Sequence, residues 1–334
     1  MNTITRLVVI GASAGGFKAV TDFISNFPEQ DSVAVFVVLH VSKSSMGEVI
    51  VHHFQNHTSL TCKLPVNGEQ IQAGHLYVAP PDHHMLVKDD EIIIHNGAHE
   101  NRWRPSIDVL FRSAAVAYNS RVIGIVLSGL LDDGTSGMSA IKRSGGICIV
   151  QEPGEAEFSD MPNNVLNNVD VDYRVPIADM GYILQDLFAK PVSQSVEVPR
   201  EIKLEADLTE RIATKIQDLE AIAENSVFNC PDCGGGLWKI KNDTLVRYRC
   251  HTGHVYSEKV LMQVQSEEIE ETLWVAIRML EERRNLLLSV ASHEKEAGLN
   301  GGGADKNKRS EEAAVHIERL KTVLQSIRIS EPND

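Results

Sequence analysis

Residues 6–16 read RLVVIGASAGG: an unbroken apolar, β-branched run that gives way to small residues and leads at once into FKAVTDFISNF (17–27). A short run without polar alternation marks a strand buried on both faces. The small residues after it allow a sharp turn into a helix. Similar runs recur at 33–39, 76–79, 122–127 and 147–150, and segments suited to helices lie at 17–27, 106–118 and 136–144. This alternation over residues 6–190 predicts an α/β fold, a doubly wound and mostly parallel sheet. One departure is expected. Residues 85–88 and 92–95, joined through Asp89-Asp90, read as a β-hairpin laid onto it.

With 334 residues the chain is long enough for one full α/β domain and a smaller unit. The net charge of −14 argues against a general binder of nucleic-acid backbones. Its apolar runs fall far short of the roughly 20 residues that span a bilayer. The N-terminus is a poor export signal, and five cysteines are an odd count, so a reducing cytoplasm is expected. After Pro191 the character changes. The expected division is a catalytic domain over 1–192, a linker and helix over 193–227 (helix 207–222), a cysteine-bearing segment over 228–256, and a helical hairpin over 257–334. The hairpin would pair a long helix (Ile269, Leu273, Ile277, Leu280, Leu287) with a last one (Ala313, Ile317, Leu320, Leu324, Ile327), through a flexible GLNGGGADKNK connection at 298–308.

The turn Gly11-Ala12-Ser13-Ala14-Gly15-Gly16 admits three readings. A dinucleotide turn wants glycine where Ser13 stands and an acidic residue ending the second strand, which ends in Leu39-His40 instead. A tight turn with no chemistry is the second reading. The third is a nucleophile elbow, G-x-S-x-G, which holds a weakly nucleophilic hydroxyl beside a base and near the free N–H groups of a helix N-terminus. In an open parallel sheet, ligands sit beyond the carboxyl ends of the strands. Ser13 follows the first strand, His40 ends the second, and Asp132-Asp133 follow the strand at 122–127. All three chemistries therefore fall on one rim. The order Ser, His, Asp is not that of the common α/β-hydrolases.

The phrases VVIGASAGG, VVLHVS, HLYVAPPDHHM, NRWRPSIDVLF and GIVLSGLLDDGTSGM, in this order, resemble the catalytic domain of the chemotaxis CheB family over residues 5 to about 190. The resemblance implies a cytoplasmic protein-glutamate methylesterase, with glutamine deamidation as a second activity and a methylated chemoreceptor as partner. It implies Ser13 as nucleophile, His40 as general base and acid, and Asp133, the acid directly before glycine, as the carboxylate that orients the imidazole. Two departures stand out. Leu130 occupies a position where the family pattern has methionine, beside the oxyanion site. The catalytic blocks begin at residue 5, so control by a preceding receiver domain is not expected; either constitutive activity or control by the C-terminal region is. The rival reading is a non-catalytic adaptor that binds partners through its C-terminal segments.

In those segments, Cys230-Pro231-Asp232-Cys233 and Cys250-His251-Thr252-Gly253-His254 have the spacing of a zinc ribbon. The expected ligands of a structural zinc are Cys230, Cys233, Cys250 and His254, with His251 as the alternative fourth. Unligated thiols, or a redox CxxC pair, are the competing readings. No cofactor is expected for catalysis.

Overall fold

The computed structural model describes residues 4–211, 216–298 and 303–330. These divide into two compact units, Met1–Val260 and Leu261–Asp334.

In the first unit the strands are β1 (Arg6–Ala12), β2 (Val33–Leu39), β3 (Thr61–Lys63), β4 (Glu69–Gln70), β5 (His75–Val78), β6 (His84–Lys88), β7 (Glu91–His95), β8 (Val122–Val126), β9 (Ile147–Gln151) and β10 (Tyr173–Val175). The helices among them are α1 (Gly16–Ser25), α2 (Gly47–Gln55), α3 (Ile107–Tyr118), α4 (Thr135–Arg143), α5 (Asp160–Asn168) and α6 (Ile177–Ala189). Seven strands form one sheet in the order β10-β9-β8-β1-β2-β5-β3, and their pairings are parallel. The expected doubly wound parallel sheet is therefore present. β6 and β7 form the expected hairpin, which β4 extends to three strands.

Each central strand divides its residues between two apolar layers. Leu7 and Val9 of β1 pack with Ala34, Phe36 and Val38 of β2 under α3 and α4; Val8, Ile10 and Ala12 pack with Val33, Val35 and Val37 under α1 and α6. This is why these strands carry no polar alternation. The winding order reverses between β1 and β8, and the crevice at their carboxyl ends is where such sheets hold ligands.

The segment after Pro191 continues in the same unit. Helices α7 (Arg200–Glu210) and α8 (Ile216–Ile222) precede a four-stranded antiparallel sheet of β11 (Ala223–Asn229), β12 (Gly236–Ile240), β13 (Arg247–Cys250) and β14 (Val255–Ser257). The helix expected at 207–222 is thus two pieces, the first beginning earlier at Arg200; residues 212–215 lie outside the described ones.

A buried ionic cluster joins this small sheet to the α/β layers. Arg112 of α3 donates to Glu100 (2.6 Å) and lies 3.1 Å from Glu205 of α7. Arg247 forks onto Glu205 (2.8 and 2.9 Å) and also meets Asp243 (2.5 Å). Arg249 donates to Glu100 (3.1 Å), which accepts from Thr209 as well (3.1 Å). Each of the three guanidinium groups is about 2% exposed. Charges taken this far from water are tolerable only when paired with opposite charges.

In the second unit the long helix α9 (Glu258–Glu296), from Leu261 onward, runs against α10 (Gly303–Ser330). Lys306 meets Glu294 (2.7 Å) and Lys321 lies 3.9 Å from Glu281, so the two helices are antiparallel. Ile277, Ala313, Ile317 and Leu324 are buried in the seam, Leu273, Leu280, Leu287 and Leu320 are partly covered, and Ile269 is exposed instead. Ile327's side chain and residues 299–302 of the glycine-rich connection lie outside the described residues; from Gly303 on, that stretch is helical.

Glu205 is one of two acids on Arg112 and one of two on Arg247, so its removal leaves the buried cluster with an uncompensated positive charge. Glu205→Ala is expected to destabilise the first unit by about 3–5 kcal/mol, measured as a lowered urea midpoint for the full chain.

Candidate active site

Ser13 follows β1 in a turn set by close contacts. Its N–H donates to the Ser128 carbonyl (2.9 Å) and its own carbonyl accepts from Gly16 N–H (2.8 Å). Gly15 holds φ +68°, and a side chain there would run into Ser128 and Glu157. Ser13 is half-buried at the amino end of α1, where the first-turn N–H groups have no acceptor within the helix. On the facing loop, Leu131 donates to Asp160 Oδ2 (3.4 Å) and accepts from Asn164 Nδ2 (2.6 Å), which ties that loop to α5. Leu130, at the rim of this loop, is exposed.

His40 leaves β2 with its N–H on the Ala12 carbonyl (3.1 Å), which brings its ring over the serine turn. His40 Nδ1 lies 3.1 Å from Ser13 Oγ and Nε2 lies 2.9 Å from Asp133 Oδ2. The imidazole thus offers Nδ1 to the hydroxyl and Nε2 to the acid. The two nitrogens have exchanged the partners they hold in the serine-protease triad, where Nε2 meets the serine and Nδ1 the acid. Ser13, His40 and Asp133 are brought together as one hydrogen-bonded chain, whereas Asp132 bonds neither partner and turns toward Ser257.

Asp133 is almost wholly buried and heavily bonded. Oδ2 accepts from Ile107 N–H (2.7 Å) in addition to His40; Oδ1 accepts from Ser106 Oγ (2.9 Å), Asp108 N–H (3.3 Å) and Asn101 Nδ2 (3.3 Å). Burial alone would push this carboxyl up, but the His40 bond and charge, with the Ile107 and Ser106 donors, hold it below its ordinary value. Its neighbour Asp108 takes the opposite course: burial, then the charge of Asp133, raise it well above the ordinary range. The approach of α3 that delivers the Ile107 N–H depends on Gly11, since a Cβ there would lie 2.4 Å from Ile107 Cγ2.

Three further residues complete the site. The Trp103 ring stacks on the His40 ring at 4.1 Å between centroids and 9° between planes. Asn101, with φ +51°, bonds Asp133 and Asp108 through Nδ2 and accepts from Ser257 N–H through Oδ1 (2.9 Å). Ser106 sits on His84, whose Nδ1 accepts from Ser106 N–H (3.3 Å) and whose Nε2 donates to the Ala98 carbonyl (2.9 Å). Sequence reasoning assigned none of these a role. Their one signal was that NRWRPSIDVLF stands as a block of its own between two strands.

The second cluster lies in the small sheet. Cys230 and Cys233 fall in the turn between β11 and β12, and Cys250 and His254 in the turn between β13 and β14. Cys233 Sγ lies 3.8 Å from Cys250 Sγ, and His254 Nδ1 lies 3.6 Å from Cys230 Sγ and 3.5 Å from Cys250 Sγ. Zn–S bonds of about 2.3 Å at tetrahedral angles put the sulfurs about 3.8 Å apart, which these three separations fit, and all four ligand atoms lie within 4.8 Å of one another. His254 Nε2 lies 3.8 Å from Asp232, the type of carboxylate partner that orients metal-bound imidazoles. His251 is exposed and its ring lies against Gly235.

Residues 8–184 match the model of the family described as CheB methylesterase. A protein of Leptospira interrogans carrying the name protein-glutamate methylesterase/protein-glutamine glutaminase is 36% identical over 167 residues, which are 50% of this chain and 86% of that protein. Proteins of that name from Thiobacillus denitrificans (34% identical, 48% of this chain) and Escherichia coli K12 (31%, 55% of this chain) are matched over about half their own length, 46% and 53%. Among solved structures, the Thermotoga maritima CheB methylesterase catalytic domain superposes with a TM-score of 0.52 at 27% identity, over 55% of this chain and 98% of that one.

His84 carries a pH prediction. Burial lowers its pKa from 6.5 to about 4, so the folded state binds fewer protons than the unfolded between those values. Its contribution to stability is full above pH 6.5 and is lost as pH falls through 4. The stability difference between the parent chain and His84→Gln is expected to shrink by about 3 kcal/mol from pH 7 to pH 4, measured by urea unfolding at each pH.

Proposed function

The chain belongs to the CheB methylesterase family, and from that premise we propose that it hydrolyses γ-glutamyl methyl esters on a methylated chemoreceptor, with Ser13, His40 and Asp133 as its catalytic residues. The observation that carries the assignment is the unbroken hydrogen-bonded chain Ser13–His40–Asp133 at the carboxyl ends of β1, β2 and β8, inside the region that matches the family.

Ser13 Oγ attacks the γ-carbonyl carbon while His40 Nδ1 takes its proton. The tetrahedral adduct carries its negative oxygen toward the N–H groups that open α1. It collapses by expelling methoxide, which leaves as methanol with the proton from His40. Water then gives its proton to His40 and attacks the acyl-enzyme, freeing a glutamate carboxylate and restoring the Ser13 hydroxyl. Asp133 remains ionised throughout and holds the ring in place. With a glutamine side chain the same steps release ammonia, which gives the second activity. The adaptor reading has no use for an aligned nucleophile, base and acid. We place the enzyme in the cytoplasm, on five unpaired thiols and the methylated receptor end as substrate.

We further assign the cluster Cys230, Cys233, Cys250 and His254 to a structural zinc. Four protein ligands leave no open position for substrate or water, so its part is to fix the two turns that carry them.

Ser13→Ala is expected to abolish methanol release from methylated receptor with an unchanged circular dichroism spectrum; retained release would refute the triad. Elemental analysis should find about one zinc per chain and much less in Cys230→Ser. Sparse zinc that this substitution leaves unaltered would refute the metal assignment.

A further inference from the structure

The zinc cluster and the triad lie in different sheets, yet one short segment, residues 99–103, touches the supports of both. Asn101 and Arg102 both take left-handed backbone conformations (φ +51° and +69°), so the chain doubles back tightly there. On one side the segment is gripped by the strands that carry the metal ligands. Val255, directly after His254, donates its N–H to the His99 carbonyl (3.2 Å) and accepts from the Asn101 N–H (2.7 Å). Ser257 N–H donates to Asn101 Oδ1 (2.9 Å). Arg249, directly before Cys250, holds the Glu100 carboxylate (3.1 Å).

On the other side the segment supports the base and the acid. Asn101 Nδ2 reaches Asp133 Oδ1, and the Trp103 ring lies flat on His40. Trp103 is in turn pinned to Glu100 through both backbone groups, N–H to carbonyl at 2.9 Å and carbonyl from N–H at 3.3 Å. Two routes therefore run from the metal ligands to the reacting groups. One is His254–Val255–Asn101–Asp133; the other is Cys250–Arg249–Glu100–Trp103–His40.

We infer that residues 99–103 are a brace through which the Cys/His metal centre sets the geometry of the triad, so that Asn101 and Trp103 are positioning residues and hydrolytic competence depends on the metal. The inference rests on the assignments of the triad and the zinc made above. The metal takes no part in the reaction. It fixes the turn between β13 and β14, and with it the strand ends against which the brace is registered. A displacement of about 1 Å at the reacting groups can cost about 100-fold in rate. Losing the metal should therefore reduce turnover while leaving the α/β layers folded.

The test uses the full chain and two readouts: the rate at which a fluorophosphonate probe labels Ser13, and kcat and KM for methanol release from methylated receptor. Asn101→Gly removes the brace contact and keeps a residue that accepts the left-handed backbone. It should lower the labelling rate and kcat by about 10- to 100-fold, with KM within about twofold, bound zinc unaltered, and a lowered melting temperature but an unchanged circular dichroism spectrum at the assay temperature. Zinc removal by chelation should slow labelling similarly, and added zinc should restore it. Asn101→Gly with rates within twofold of the parent would overturn the brace. So would zinc-free protein that keeps its circular dichroism and its labelling rate, or parent chain that holds no metal. If the parent chain is labelled at Ser13 but releases no methanol, the substrate reading fails on its own and the labelling comparison still decides the brace.

Discussion

A carboxylate removed from water survives as an anion only if its surroundings replace the lost hydration. Asp133 meets that demand with donors drawn from three places: the amino end of α3, the imidazole of His40, and Asn101. Much of the unit's arrangement follows from serving it. Gly11 lets α3 come close enough to deliver Ile107, His84 holds Ser106, and the aspartate beside it, Asp108, is pushed away from ionisation. The His40 imidazole is held in orientation by a carboxylate that stays charged.

The same constraint operates on a larger scale in the ionic cluster of Arg112, Arg247, Arg249, Glu100, Glu205 and Asp243. Burying such charges contributes little net stability, but leaving any one unpaired costs several kcal/mol. The cluster therefore acts as a registration device. β13 uses its two-residue period to do so, sending Arg247 and Arg249 into the α/β layers while Tyr248 packs edge-on against Phe228 and Cys250 turns to the Cys/His cluster.

How much of this was legible in the sequence depended on whether the cause was local. The strands β1, β2, β5, β8 and β9 could be read because burial on both faces leaves an unbroken apolar run. β3 and β10 are three residues each and partly exposed, and carry no such run. α2 is rich in valine and isoleucine, and α5 contains proline and four asparagines, so neither has the composition of an evident helix. Ser13, His40 and Asp133 could be chosen because each stands at the end of a recognisable strand. Asn101 and Trp103 could not, since what they do is defined by partners in β13, β14 and the far side of the sheet. Arg247 and Arg249 look like surface charges until the acids that enclose them, from α7 and from Glu100, are in place.

That dependence on distant partners governs when the protein becomes competent during folding. The His40–Asp133 bond spans 93 residues of chain and the Arg249–Glu100 bond spans 149. Closing such large loops is entropically slow, and contacts of this range form late relative to helices and turns. No nascent or fragmentary chain that lacks β8 carries an assembled triad, and one that lacks β13 carries it unbraced. Ser13 and His40 come together with Asp133 only once β8 has been added to the sheet. On the mechanism proposed above, hydrolytic competence is therefore a property of the finished fold, and a partly made molecule would carry no activated serine.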